Sequence, residues 1–134
     1  MNLVAQIQER LKGILPELLG IQLVEVTPDK VLATLKVRPE LCTTGKILHG
    51  GTIMAFADTL GAVGTFANMQ PGYTTATIES KTNFFRAVRE GVIQASAKPL
   101  HVGRTVIAVQ TAIHDAQGKL VAQVTQSQAV LTPR

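Results

Sequence analysis

Residues 51–67 carry apolar or small side chains in every direction a helix can point them: Ile53, Met54, Ala55, Phe56, Ala57, Leu60, Ala62, Val63 and Phe66. A helix that is apolar all round is expected to be buried all round. In a chain of 134 residues, that demands most of the remaining sequence as its cover. Gly61 and Gly64 each weaken such a helix by roughly 1 kcal/mol relative to alanine. Their presence predicts the close approach of another backbone. The one charge in the segment is Asp58. An ionised carboxylate in apolar surroundings is costly unless it is paired or hydrogen-bonded. No Lys, Arg or His stands three or four residues away to pair with it along the helix. Asp58 therefore meets a partner from elsewhere, sits on a solvent-facing edge, or lines a cleft as a base or nucleophile.

The remaining sequence supplies the cover. Val4, Ile7, Leu11, Ile14, Leu15 and Leu18 recur at helical spacing and predict an amphipathic helix over about 2–19, with Pro16 kinking or ending it. The runs IQLVEVT and KVLATLKV flank Pro28-Asp29 and predict a hairpin. Residues 38–48 read as irregular. Strand-like segments follow at 73–85, 91–102, 104–114 and 119–131, the last two joined by the turn residues Asp115-Ala116-Gln117-Gly118. Pro99 predicts a bulge or an edge position in its strand. The expectation is a single α+β domain over 1–134, with a curved antiparallel sheet of about six strands wrapped around the central helix.

Composition narrows the function classes. The net charge of +4 favours anionic partners. The basic residues are scattered, aromatics are few, and no nucleic-acid-binding signature occurs, so a small anionic molecule is the better match. No apolar run approaches the roughly 20 residues of a membrane span. The start, MNLVAQIQERLKG, does not read as a secretion signal. The single Cys42 suits a reducing cytoplasm.

His49-Gly50-Gly51 opens the central helix. Free N–H groups at a helix start favour negative charge, and the same donors can polarise a carbonyl. Gly50 and Asp58 lie eight residues apart on one helix, which at about 1.5 Å per residue is roughly 12 Å. An aspartate cannot cross that span to a carbonyl held at its own Gly50. If both act on one substrate, they come from two chains, with two such helices antiparallel about a two-fold axis.

LHGGTIMAFADTLGAVGTFA, followed by TIESKTNFFRAVREG and PLHVGR, resembles the hotdog-fold thioesterases of the PaaI-like and hydroxybenzoyl-CoA thioesterase branch. The similarity runs from about residue 20 to 131. It implies a sheet wrapped around a long helix and hydrolysis of acyl-CoA at a dimer interface, usually in a tetramer. No cofactor is implied beyond the coenzyme A of the substrate. By position, Asp58 is the implied general base or nucleophile, the Gly50 N–H the carbonyl polariser, His49 the residue that holds the loop, and Thr77 a hydroxyl that orients water. Substrate contacts are implied for Gly51, for Phe84, Phe85, Arg86 and Ala87, and for His101, Val102, Gly103, Arg104, Thr105 and Val106. Arg86 and Arg104 are the phosphate partners among them. Thr43 stands six residues before His49, where some relatives carry Asn or Gln, and many relatives have Glu where this chain has Asp58. Ala62, Val63, Phe66 and Met69 are the expected lining for an aryl or medium-chain acyl group.

Other constellations are poorer. The three histidines, His49, His101 and His114, have no metal-ligand spacing. No G-x-S-x-G elbow occurs. Cys42 reads as a small packed residue rather than the partner of His49. Two other readings keep the fold: a non-catalytic acyl-CoA-binding module, and a hydratase, which would pair Asp58 with a histidine that the helix lacks.

Overall fold

A computed structural model describes residues 2–134. Met1, the first residue of the expected domain, lies outside the described residues. The element order is α1 (Leu3–Arg10), α2 (Leu15–Leu19), β1 (Gln22–Val26), β2 (Val31–Lys36), β3 (Cys42–Thr43), β4 (Ile47–Leu48), α3 (Gly50–Phe66), β5 (Thr74–Phe84), β6 (Val92–Val102), β7 (Val106–His114) and β8 (Leu120–Leu131). Six strands form one antiparallel sheet in the order β1-β2-β6-β7-β8-β5, and β3 and β4 form a two-residue ladder apart from it. Helix α3 touches β2, β5, β6, β7 and β8. Five strands at about 4.8 Å spacing span roughly 19 Å, against a helix roughly 10–12 Å thick. All five reach one helix because the sheet curves around it. Among the described residues, no helix is long and apolar enough to cross a membrane.

The core lies between α3 and the concave side of the sheet. Phe56, Ala57 and Leu60 from the helix meet Ala33, Leu35, Ile93, Ala95, Val109 and Val124, all buried. Alternation in burial along β2 and β7 places every second side chain on this side.

Three expectations need correction. The N-terminal helix is two helices: Gly13 breaks the chain at φ +77°, and Pro16 lies in the first turn of α2, where its missing N–H costs nothing. The central helix is not buried all round. Gly51, Met54, Ala55, Asp58, Thr59, Ala62 and Phe66 form a stripe that no element of the same chain covers fully, because the sheet occupies only the other side. Gly61 admits a side chain rather than a backbone. A methyl group there would overlap the amide of Gln126, whereas a methyl at Gly64 would make only ordinary contact with Val31, at 3.6 Å.

Other details follow the local chemistry. Pro99 has no N–H for the ladder, and the β6–β7 register shifts between Pro99 and His101 as a bulge. In the β7–β8 turn, the Asp115 carboxylate accepts from the Lys119 and Gln117 N–H groups, both at 2.9 Å. Those bonds, led by the one from Lys119, hold its pKa below the ordinary value.

Phe56 is the largest fully buried side chain. Phe56→Ala is expected to lower unfolding stability by about 3–5 kcal/mol, read as a reduced midpoint in urea denaturation.

Candidate active site

Asp58 sits halfway along the open stripe of α3, half-buried. Its Oδ1 accepts two hydrogen bonds, from Thr77 Oγ1 on β5 at 2.6 Å and from Gln126 Nε2 on β8 at 3.2 Å. Gln128 Nε2 donates in turn to Thr77 Oγ1 at 2.8 Å, and the single Thr75 hydroxyl proton is shared between the Ala129 carbonyl at 2.8 Å and Gln128 Oε1 at 3.0 Å. A hydroxyl has one proton. With one lone pair engaged by Gln128, Thr77 directs that proton at Asp58. Both groups that hold Asp58 are neutral, and among the described residues no cation forms a salt bridge with it. Its Oδ2 has no hydrogen-bond partner there.

Strand register explains why these side chains meet. Ala122, Val124, Gln126 and Gln128 occupy alternate positions of β8 and are all buried, so they share the side facing α3. Gln128 pairs with Thr77, and the extra residue Ile78 bulges β5 immediately afterwards. Sequence reasoning placed Asp58 and Thr77 and missed both glutamines. The signal was present: in VTQSQAV, two amides fall on the alternation that is otherwise apolar.

The start of α3 forms the second half of the site. His49 is the helix cap, and its Nδ1 accepts the Gly51 N–H at 2.7 Å. The Thr52 and Ile53 N–H groups are taken by the His49 carbonyl. The N–H of Gly50 makes no hydrogen bond among the described residues, so it is the donor left for a ligand. The ring of Phe84 lies over Gly50, 3.2 Å from where a Cβ would stand.

The other candidates divide between two ends of the sheet. Phe84 pairs with Ala122, and the exposed residues Phe85, Arg86 and Ala87 follow it at the Gly50 end. His101, Val102, Arg104, Thr105 and Val106 are exposed, and Gly103 is half-buried, in and beside the β6–β7 turn at the Thr77 end, where Ile107 pairs with Gln128. Gly103 donates its N–H to the Val106 carbonyl at 2.9 Å, and a Cβ there would stand 2.6 Å from that same oxygen. Thr77 and Phe84 are seven residues apart on one strand, roughly 20 Å. One chain therefore does not bring the two groups together. Thr43 lies in the short β3–β4 ladder and lines a separate cavity of about 420 Å³ with Lys46 and Arg89. Ala62 shares the open stripe with Asp58, whereas Val63 faces the core. Among the described residues, no group of three His, Cys, Asp or Glu side chains could hold a metal ion.

Comparison with known proteins identifies the family. The family model described as the thioesterase superfamily matches residues 45–122. The proofreading thioesterase EntH of Cronobacter turicensis is 32% identical over 107 residues, which is 80% of this chain and 78% of that protein. The crystal structure of thioesterase HI1161 from Haemophilus influenzae superposes with a TM-score of 0.93 at 24% identity, over 98% of this chain and 92% of that one. A hypothetical thioesterase protein of Streptococcus pneumoniae, solved with coenzyme A, gives 0.78 at 21% identity over 85% and 88%. At these identities, the two structures speak for the fold.

His49→Ala removes the acceptor of the Gly51 N–H. It is expected to lower stability by about 1 kcal/mol, measured by chemical denaturation.

Proposed function

The chain belongs to the thioesterase superfamily, with the hotdog fold, and is a thioester hydrolase; from that premise, we propose that it hydrolyses acyl-CoA at sites shared between two chains. The observation that carries this reading is the setting of Asp58, with Oδ1 held by neutral donors and Oδ2 open. Asp58 takes a proton from water as it attacks the carbonyl carbon, or attacks that carbon itself before water releases the acid. On the first route, the C–S bond breaks as the water oxygen bonds to the acyl carbon; on the second, it breaks as an acyl–aspartyl anhydride forms, which one water then cleaves. On both, one water is consumed and the coenzyme A sulfur leaves with a proton. The non-catalytic and hydratase readings of the sequence give way to the hydrolase.

The carbonyl polariser is the Gly50 N–H, the donor at the helix start that neither the His49 ring nor its carbonyl takes. Gly50 and Asp58 sit on one unbroken helix, roughly 12 Å apart. A carbonyl at Gly50 is therefore served by Asp58 of the partner subunit. Two features support that assembly. Strand β5 has a neighbour on one side only, over its whole length. The stripe around Asp58 exposes Met54 and Phe66, at 41% and 37%. A two-fold axis across β5 sets two copies antiparallel. It brings the Gly50 and Phe84 end of one chain to the Thr77 and Asp58 end of the other.

The same operation joins Phe84–Ala87 to the turn at 101–106, so that Arg86 and Arg104 of different chains meet the phosphates of one coenzyme A. The bound coenzyme A in the Streptococcus protein supports this ligand. Ala62 and Phe66, one and two turns beyond Asp58 on the open stripe, suit an aryl or medium-chain acyl group. Thr77 serves by orienting Asp58, whose oxygen it contacts directly. The assembly is a dimer, paired again into a homotetramer, and it acts in the cytoplasm, where the lone Cys42 stays reduced.

The test is complementation. Asp58→Asn and Gly50→Pro homodimers, each lacking one half of both sites, are expected to be inactive. Mixed dimers, verified by mass, carry one intact site and recover up to about half the wild-type activity. Verified mixed dimers without recovery would rule out the shared site. Separately, Arg104→Ala is expected to raise KM for acyl-CoA with little change in kcat, because a phosphate contact is equal in the ground and transition states. The effect should vanish with an acyl-pantetheine that lacks the nucleotide.

A further inference from the structure

Two residues weaken the fold at one place. Gly61 lies in the middle of α3, where glycine is destabilising relative to alanine. Gln126 is a buried amide, 1% exposed, on an otherwise apolar side of β8, and its Oε1 has no hydrogen-bond partner among the described residues. An unmet buried acceptor loses its hydration with nothing in return. The two costs have one cause. The missing side chain of Gly61 is the space that the Gln126 amide occupies, and from there Nε2 reaches Asp58 Oδ1 at 3.2 Å. A leucine at 126 with an alanine at 61 would serve the core better. What the present pair adds is a neutral donor aimed at the carboxylate.

Gln128 repeats the pattern. It is fully buried, and its Nε2 turns the Thr77 hydroxyl toward the same oxygen. Two donors on one carboxylate oxygen restrict how the group can turn and leave Oδ2 without a partner among the described residues.

We propose that Gln126, housed by Gly61, and Gln128, acting through Thr77, are positioning residues that present Asp58 Oδ2 to the reacting carbonyl or water. The proposal rests on Asp58 being the reactive carboxylate. Misplacement of a reacting group by about 1 Å can cost about 100-fold in rate, which sets the upper scale of the effect.

The experiment measures kcat, KM and thermal midpoint on an acyl-CoA that the wild-type protein cleaves, for Gln126→Leu, Gly61→Ala, their double variant and Gln128→Leu, beside Asp58→Asn. Gln126→Leu is expected to lower kcat by up to about 100-fold, with KM and thermal midpoint unchanged or the midpoint raised. Gly61→Ala should lower kcat similarly by displacing the amide, and the double variant should lose no more than Gln126→Leu alone, since both remove one contact. Thr77→Val, at an exposed position, tests the same arrangement where a core variant fails to fold, and it too should lose kcat at constant KM. If Gln126→Leu and Thr77→Val keep wild-type kcat while Asp58→Asn is inactive, the positioning role is wrong and the catalytic reading stands. If Asp58→Asn stays active, the catalytic reading fails and the positioning role falls with it. A lowered midpoint with full kcat would assign the glutamines to the fold alone.

Discussion

A carboxylate on an apolar helix must be given hydrogen-bond donors, and much of this fold can be read as the means of supplying them. Asp58 has none within reach along α3, so they come from β5 and β8, the strands at one margin of the curved sheet. The donors are an alcohol and an amide. Both donors are neutral, and they orient the carboxylate through its Oδ1 alone. The register of β8 against β5 sets Gln128 opposite Thr77, and the gap at Gly61 admits Gln126. A slip of one residue in that register would send both amides to the opposite side of the sheet.

The chain leaves an apolar stripe and a long sheet edge next to this carboxylate. A lone edge strand of eleven residues is a liability in water. Joining two edges across a two-fold axis removes it and covers apolar surface in the same step. Within the proposed dimer, the requirement for stability and the requirement for a complete site coincide. The Gly50 N–H and the carboxylate cannot be brought together by bending one helix, so duplication of the chain takes the place of a loop.

Much of the fold was legible. The central helix, the first hairpin, the four long strands and the Pro99 bulge all follow from periodicity and turn chemistry, which are local properties. The N-terminal helix was read too long because apolar spacing continues through 11–15, while Gly13 adopts a positive φ that spacing does not report. The small β3–β4 ladder, two residues on each side, carries no periodicity at all. In the site, Asp58 stood out as a charge on an apolar background. Gln126 and Gln128 did not, because amides in a strand-like run of Thr, Gln and Ser blend with a solvated face.

The sequence by itself determined the elements, the helix start at His49-Gly50-Gly51, and the separation of Gly50 from Asp58, since helix rise is fixed by the backbone alone. Tertiary structure decided which groups hold the carboxylate, which face of α3 remains open, and that the segments 84–87 and 101–106 lie at opposite ends of the sheet. Those facts depend on strand order and register between residues as much as 68 positions apart. Pairing over such distances is settled by how whole strands pack together, and no local pattern encodes it.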